Sequence, residues 1–414
     1  MDSTENIIFV GRFFSRGVLE KVMADPKYTV GLSNHNFEMS LIEGLRRVCA
    51  RRKYSLRLIS VPAVFSYPEY NSHIFTGGER YDVEGCEVRS IPMLNLFGIN
   101  KIWIFFTLLF ALIRTYISCK GKKVNVIVDT PNWINDSALF FSRIFTRKKV
   151  ETTLIVPDIP EVMNTMFTAK KSFKQKIVSV LNEYGRKMAF KYDDYVFLTE
   201  QMKTFFRPDA PYIVMEGLAN EKWFEEKTDT SSDSSVRAIL YTGTLARVFG
   251  IKILLDAFDM LGHKDVELWI CGSGDMENEI EKMAQRNPNV KFKGMVSAVQ
   301  ARELQRQATI LVNPRTSEGE FTKFSFPSKT MEYLSAGKPV VMNRLPGIPP
   351  EYYNYLHIPD DETPVAFARI LDSLLDKPQE ELNITGEAGR RFIMENKNSG
   401  KQAERIIELA LNQK

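Results

Sequence analysis

The sequence has few of the residues that hold small extracellular proteins together or bind metal ions in clusters. It contains 4 cysteines and 4 histidines in 414 residues. Cys49, Cys86, Cys119 and Cys271 lie at least 33 residues apart, so neither a CxxC metal clip nor a dense disulfide framework is available. No HExxH, GxSxG or Cys-His arrangement is present to indicate a protease or esterase. We therefore expect a cytoplasmic protein without a metal site.

Long apolar segments and nucleic-acid motifs are also lacking. The first residues carry acids rather than a basic segment followed by an apolar stretch, so no secretory signal is expected. The longest apolar run, IWIFFTLLFALI at 102–113, would span about 18 Å as a helix, less than the roughly 30 Å of a hydrocarbon core. No recognised nucleic-acid motif accompanies the basic residues, so we expect no nucleic-acid partner.

Basic residues are concentrated around this run. Nine Lys and Arg residues lie between positions 101 and 150, against two Asp residues. One interpretation is a core helix buried all round. The alternative is an interfacial contact of residues 102–123 with an anionic membrane surface, on the inner face of the cell membrane. In that case the residues that enter the interface or meet headgroups are Trp103, Phe106, Phe110, Lys120, Lys122 and Lys123.

The remaining composition is that of an ordinary globular protein. Hydrophobic residues make up 44% and charged residues 26%, and 414 residues suffice for two or three domains. Short β-rich apolar runs alternate with stretches of helical spacing, which predicts mostly parallel sheets covered on both faces. The runs are NIIFVG, KYSLRLISVPAVF, VNVIVD, TTLIVPD, DDYVFLT, AILYTG, VELWICG, NVKFKG, ATILVNP and KPVVMN.

The apolar pattern breaks at KTDTSSDSS, residues 227–235, and then restarts. We predict an α/β fold of two doubly wound Rossmann-like domains facing a central cleft, with a C-terminal helix. The predicted parts are residues 1–215, residues 216–385 and a helical tail, 386–414, that packs back on the N-terminal domain. Ligands of open α/β sheets bind at the carboxyl ends of the strands, so the cleft is the expected site.

The segment NPRTSEGEFTKFSFPSKTMEYLSAGKPVV, residues 313–341, has the most informative order of residues. Pro327, Ser328 and Lys329 open a predicted helix, with Ser328 as its N-cap. A helix N-terminus is an anion site and Lys329 adds a charge, so we predict phosphate binding here. Glu332 lies one turn further on, where a carboxylate can accept both hydroxyls of a ribose.

With these motifs the sequence resembles the retaining glycosyltransferases of the GT-B fold, family 4, and in particular those that make bacterial capsule and exopolysaccharide. The resemblance covers most of the chain and is strongest over 239–350. Its motifs are ILYTGTLARVFGIKILLDAF, LWICGSGDMENEIEKM, NVKFKGMV, EYLSAGKPVV, VPDIPEVM and VFLTEQM. It implies a UDP- or GDP-sugar donor, retention of anomeric configuration, a saccharide acceptor that is lipid-linked, and no cofactor or metal.

Three positions depart from the family pattern. The first of two glutamates is replaced by Phe324, and the diphosphate-binding Arg and Lys by Thr244 and Phe249. The resemblance thus implies that the missing acid is supplied by Glu318 or Glu320, and the missing charge by Arg247, Arg315, Lys323 or Lys329.

The candidate residues fall into three groups. Asp129, Asp158, Lys329 and Glu320 are the predicted catalytic residues. The predicted donor-binding residues are Gly243, Thr244, Arg247, Gly272, Gly274, Gly294, Met295, Arg315, Lys323, Phe326, Pro327, Ser328 and Glu332. Asn34, His35, Asn36 and Asn132 are the predicted acceptor contacts.

Two further functions remain open at this point. A nucleotide-sugar 2-epimerase has the same architecture, although it would need more acids and histidines in the cleft. A catalytically degenerate relative that acts as a membrane scaffold is the second, because of the three departures. Asp129 and Asp158 are equally compatible with ordinary strand-end turns. An NAD site rests on half a fingerprint, since Gly272 and Gly274 are followed by Glu277.

Overall fold

The computed structural model describes residues 5–15, 19–20, 32–62, 74–75, 80–83, 85–94, 96, 98–159, 180, 183–219 and 236–412. The predicted linker 227–235 lies outside these residues. The chain divides into two compact units: Met1–Leu218 with Ser399–Lys414 (unit 1), and Ala219–Asn398 (unit 2).

Unit 1 is built on a sheet of eight strands in the order β10-β9-β8-β7-β1-β2-β5-β4. All neighbours pair in parallel except β4 and β5, which form an antiparallel edge that the alternation of strands and helices did not predict. The strands are β1 Asn6–Gly11, β2 Ser55–Ser60, β4 Arg80–Val83, β5 Cys86–Ser90, β7 Lys123–Asp129, β8 Lys149–Val156, β9 Asp194–Phe197 and β10 Tyr212–Val214. Two short strands, β3 Ile74–Phe75 and β6 Met93–Leu94, pair separately.

The helices of unit 1 are α1 Leu32–Arg52, α2 Ile99–Ser118, α3 Trp133–Ser142 and α10 Ser399–Ala410. Strands β1 and β7 are buried along almost their whole length, as expected for parallel strands covered on both faces. Helix α1 buries Leu41, Ile42, Leu45 and Val48 at helical spacing against this sheet and α10. Residues 183–189 are also helical.

Helix α2 is longer than the apolar run on which the two sequence interpretations were based. It has 20 residues and extends beyond the apolar run at each end, so at 1.5 Å per residue it is about 30 Å long. Among the described helices it alone has the length and composition that a membrane span requires, but a third of it is buried inside the unit. Leu108, Leu112 and Tyr116 form its buried face, while Phe106 and Phe110 are exposed. The prediction of a helix buried all round is therefore wrong.

Unit 2 is a five-stranded parallel sheet in the order β13-β12-β11-β14-β15. The strands are β11 Arg237–Thr242, β12 Val266–Cys271, β13 Val290–Gly294, β14 Ile310–Asn313 and β15 Val340–Met342. The helices are α4 Ile251–Met260, α5 Glu277–Arg286, α6 Ala298–Gln307, α7 Ser328–Ser335, α8 Pro364–Leu375 and α9 Gln379–Asn396. The predicted alternation of strand and helix is confirmed in this unit.

The predicted tail 386–414 is divided between the two units. Helix α9 belongs to unit 2, where Gly386 lies directly against the backbone of Gly337. Helix α10 belongs to unit 1 and buries Ala403, Ile406 and Ile407 in its core.

Candidate active site

Unit 2 contains a cavity of about 350 Å³ at the carboxyl ends of β11 and β12. The residues around it come from three strand-end turns, from α6 and from α7. They are Thr242, Gly243, Thr244, Cys271, Gly272, Ser273, Met295, Val296, Ala301, Ser328, Lys329 and Glu332. Seven of these were predicted from the sequence: Gly243, Thr244, Gly272, Met295, Ser328, Lys329 and Glu332.

Backbone hydrogen bonds hold the strand-end turns together. The amide of Gly243 donates to the carbonyl of Cys271 (2.9 Å), that of Gly272 to Gly294 (2.8 Å), and that of Leu245 to Ser273 (2.8 Å). Gly272 has φ of +137°, and a Cβ at this position would strike the carbonyl oxygen of Gly243. Only glycine lets the two turns approach this closely, so one wall of the cavity is bare backbone.

Helix α7 supplies the charged side of the cavity. Pro327 occupies its N-cap position, so the prediction of Ser328 as N-cap is wrong; Ser328 is the first helical residue and no side chain caps the helix. Unpaired amides at a helix start attract anions. The Lys329 side chain lies against Gly243, where a Cβ would overlap its Cε and Nζ atoms. Burial lowers the pKa of Lys329, and the nearby Glu332 carboxylate partly offsets this effect.

Glu332 is oriented by a residue that the sequence did not reveal. Gln305 on α6 donates 2.8 Å to Oε1 of Glu332 and 3.2 Å to Oγ1 of Thr242. Gln305 is buried, so it fixes the position of the carboxylate. The pattern of α6, AVQARELQRQ, gave no signal for this, because its polar residues suggest an exposed helix face.

Two tyrosines fix α7 relative to β11. The backbone amide of Thr242 donates 2.9 Å to the buried hydroxyl of Tyr333, which donates to the Thr242 carbonyl at 3.2 Å. The hydroxyl of Tyr241 donates 2.8 Å to the carbonyl of Thr244, and the Lys329 ammonium lies 5.6 Å from the Tyr241 ring centre. The cavity wall is thereby held in place by buried hydrogen bonds.

Arg315 lies beside Phe249, one of the three positions at which the sequence departs from the family pattern. Its guanidinium lies 5.5 Å from the ring centre of Phe249 and 4.8 Å from that of Phe321, and it donates 2.8 Å to Ser325. Burial lowers the pKa of Arg315 to about 10. Gly250, at φ of +78°, packs against the carbonyl of Pro314 and so brings Phe249 beside Arg315.

The other predicted donor residues do not line the cavity. Arg247 pairs with Glu279, and Lys323 with Glu320 (2.9 Å), both on the surface. Gly274 and Gly294 shape the turns, Pro327 occupies the N-cap position of α7 without capping it, and Phe326 is buried against Tyr352 with ring centres 5.2 Å apart. Glu320 is exposed, pairs with Lys323 and does not line the cavity.

In unit 1, Asp129 ends β7 and is buried beside Glu38. The Glu38 carboxylate accepts the backbone amide of Arg12 (2.8 and 3.0 Å), and the Arg12 guanidinium donates 2.9 Å to Thr130. Burial and the adjacent Asp129 raise the pKa of Glu38 well above its usual range. Asp158 follows β8 and is exposed. Glu38 is thus a buried acid at this sheet edge that the sequence did not single out.

Two of the four predicted acceptor contacts, Asn132 and His35, make hydrogen bonds within unit 1. Asn132 caps α3, accepting from the amides of Ile134 (3.0 Å) and Asn135 (3.4 Å). His35 is buried in the first turn of α1 and accepts from the Phe14 amide (3.3 Å); burial lowers its pKa. Asn36 is exposed, and the side chain of Asn34 lies outside the described residues. Over the part of the chain that the structure describes, no three metal-binding side chains are grouped.

Comparison with known protein families finds a match to part of unit 2. Residues 236–377, all within unit 2, match the family of glycosyl transferases group 1. None of the curated protein sequences matches the chain.

Solved structures extend the similarity to the whole chain. Sucrose-phosphate synthase from Thermosynechococcus elongatus is 14% identical, with a TM-score of 0.63 and 99% of each chain covered. Anabaena Alr3699/HepE in complex with UDP is 12% identical, with a TM-score of 0.62, covering 99% of this chain and 100% of that one. The lipopolysaccharide outer core galactosyltransferase WaaB is 12% identical, with a TM-score of 0.58 and the same coverage.

At these identities the structures show a shared fold, GT-B, while the sequence match is confined to residues 236–377 of unit 2. A part of unit 2 therefore matches the family of glycosyl transferases group 1, and the chain as a whole has the GT-B fold.

Proposed function

We propose that the chain transfers a hexose from a UDP-sugar, or from a GDP-sugar, to a lipid-linked saccharide in bacterial surface polysaccharide synthesis. The observation that carries the donor part is the pairing, in one cavity, of a fixed carboxylate and an ammonium group beside an uncapped helix start. The Glu332 carboxylate can accept hydrogen bonds from the two hydroxyls of a ribose. The Lys329 ammonium and the first amides of α7 can bind a diphosphate. We assign these two roles accordingly.

The chemistry needs the protein mainly to stabilise the leaving diphosphate. In a retaining transfer with front-face attack, the leaving oxygen itself takes the acceptor proton, so no water-activating base is required. Charge grows on the diphosphate as the glycosidic bond breaks. The half-buried Lys329 lies in a poorly solvated position, where its attraction for that charge is stronger than in water.

Arg315 is the proposed substitute for the family lysine whose position Phe249 occupies. It is adjacent to Phe249, carries a positive charge at neutral pH, and has no carboxylate partner within 4 Å among the described residues. Thus the charge lost at position 249 is retained a short distance away, on a longer and more rigid group.

The acceptor part of the proposal has separate support. WaaB, which shares the fold over nearly its whole length, is a lipopolysaccharide outer core galactosyltransferase. Unit 1 has a buried carboxyl pair, Glu38 and Asp129, at the carboxyl edge of its sheet, where sugar hydroxyls can be bound. We propose that a saccharide hydroxyl binds near Asp129.

The donor is tested by thermal unfolding with a panel of UDP-, GDP- and ADP-sugars. A nucleotide at about 100 times its dissociation constant should stabilise the fold by about 2.7 kcal/mol. The product anomer from a positive donor is then identified by proton NMR after transfer to lipid-linked oligosaccharide. If no nucleotide raises the melting temperature, the donor proposal is wrong; stabilisation without transfer to any acceptor would favour the scaffold alternative.

A further inference from the structure

Helix α2 presents an apolar face to solvent instead of a polar one. The residues Ile99, Ile102, Trp103, Phe106, Phe110 and Ile117 are exposed, Phe110 at 65% and Ile117 at 77%. They recur at helical spacing opposite the buried Leu108, Leu112 and Tyr116. Soluble monomers rarely expose a continuous apolar stripe of this kind, which marks an interaction site.

A second element extends this stripe. Phe141 at the end of α3, with Ile144 and Phe145 of the 3₁₀ helix Arg143–Phe145, is also exposed, Ile144 at 74%. Phe105 bridges the two elements: its ring centre lies 5.2 Å from Phe106 and 5.8 Å from Phe141. The apolar surface formed by α2 and residues 141–145 is therefore continuous.

The charge around this surface has one sign. The segments 99–128 and 137–150 contain no Asp or Glu. Among the described residues, five exposed cations in or beside these elements have no carboxylate within 4 Å: Lys101, Arg114, Lys120, Lys122 and Arg147. Lys123 is different, since it pairs with Glu151 at 2.6 Å. An unneutralised basic border around exposed aromatic residues is complementary to an anionic lipid surface.

We infer that α2 and residues 141–145 form one docking surface for an anionic bilayer, with α2 lying along the interface. A transmembrane orientation would expose the polar groups of unit 1 around the buried face of α2 to lipid, so we infer contact without spanning. A second copy of the chain is a poorer partner, because a two-fold interface would bring the same unpaired cations face to face. The inference does not rest on the proposed reaction, because docking requires no nucleotide.

Co-sedimentation of the full chain with vesicles tests this surface. Phosphatidylcholine vesicles containing one-third phosphatidylglycerol are compared with pure phosphatidylcholine, at low and high salt. We expect binding to the anionic vesicles that weakens at least fivefold as ionic strength rises from about 0.05 to about 0.5 M. Absence of binding to the anionic vesicles overturns the inference.

Paired variants test separately what α2, residues 141–145 and the basic residues contribute to vesicle binding. Phe110→Ser and Ile144→Ser should each reduce binding severalfold, and Lys120→Glu with Lys122→Glu at least tenfold. The matched controls are Ile384→Ser and Lys282→Glu, which change an exposed apolar residue and an exposed lysine of unit 2 and should leave binding unchanged. Equal binding of all these variants contradicts the assignment.

Folding and nucleotide binding are measured on the same proteins. Because the substituted residues are exposed, melting temperatures should stay within about 2 °C of the wild type. UDP stabilisation should also persist, so loss of docking and failure of the donor proposal are distinguishable. A concentration-dependent dimer that Phe110→Ser abolishes, without vesicle binding, would instead identify a second copy as the partner.

Discussion

The amide of Gln305 and the carboxylate of Glu332 form a hydrogen bond of 2.8 Å across the gap between α6 and α7. This bond leaves the second carboxylate oxygen of Glu332 for a ligand. The carboxylate that we propose as the ribose contact is thus positioned by a neighbour 27 positions away in the sequence, on a different helix.

The first prediction concerns this pair. Glu332→Ala should weaken UDP binding at least tenfold, about 1.4 kcal/mol, because a charged acceptor of ribose hydroxyls is lost. Gln305→Leu should weaken it severalfold, since Glu332 loses its orientation. Isothermal titration with UDP measures both effects. Gln307→Leu, which removes the 2.9 Å bond to Glu303 on the same helix, is the control; UDP affinity equal to wild type in Glu332→Ala would contradict the ribose role.

The second prediction concerns Lys329 and Gly243. Lys329→Ala should lower kcat more than it lowers donor affinity, because diphosphate charge grows in the transition state. Gly243→Ala should have a similar effect by displacing the ammonium group. In the double variant the losses should be less than additive, since the lysine side chain that the added methyl group would displace is absent. Gly262→Ala is the control, because an added Cβ would meet only the Asp372 carboxylate at the ordinary contact distances of 3.8 and 3.9 Å. Fully additive losses would show that Lys329 and Gly243 act separately.

The third prediction concerns Arg315. Arg315→Met keeps the apolar stacking surface but removes the charge, so donor affinity should fall about tenfold while the melting temperature changes little. Arg344→Met is a matched control, because Arg344 also stacks on an aromatic ring, that of Tyr353 at 4.0 Å, but is exposed and is not a predicted donor contact. An unchanged Michaelis constant and kcat in Arg315→Met would rule out a diphosphate contact.

The fourth prediction concerns pH and the stability of unit 1. Burial raises the pKa of Asp136 to about 7, although hydrogen bonds from Tyr192 (2.6 Å) and from the Asn132 amide (3.1 Å) oppose this. Burial likewise raises the pKa of Asp194 to about 7. Between about pH 4 and about pH 7 the folded state therefore binds more protons than the unfolded state, and the free energy of unfolding falls as pH rises.

Urea unfolding at about pH 5 and about pH 8 measures the difference in the free energy of unfolding between the two pH values. This difference should be roughly 2 kcal/mol or more per carboxyl group. Asp136→Asn and Asp194→Asn should each reduce the pH dependence. Asp209→Asn, which changes an exposed carboxylate, should retain it. Stability that increases from the lower to the higher pH in the wild type would contradict the raised pKa values.

The architecture could be predicted from the sequence, because the patterns that indicate strands and helices are local. Runs such as VNVIVD and AILYTG are β-rich and apolar along their length, and they became β7 and β11. The turn glycines 243 and 272, and Lys329 and Glu332 one turn apart, are also local patterns. They gave the backbone wall and the charged side of the cavity.

The remaining parts depend on contacts distant in sequence. Gln305, Glu38 and the Tyr333 hydroxyl gain their roles only when separate elements pack together, and each lies in a segment whose pattern suits an ordinary helix. The outer face of α2 is a further case: periodicity cannot assign a solvent face to a helix that is apolar all round. Phe141, Ile144 and Phe145 became relevant only through the contact of Phe105 with α3.

The division of the C-terminal helices has a consequence for the order of folding during synthesis. Unit 2 is a continuous stretch of chain, whereas α10, which completes unit 1, is encoded after it. Gly44 on α1 lies directly against the backbone of Ser399, and Ile406 and Ile407 fill the adjacent core. The first 218 residues therefore leave the ribosome without their closing helix. Unit 1 reaches its final packing only after unit 2 has been translated.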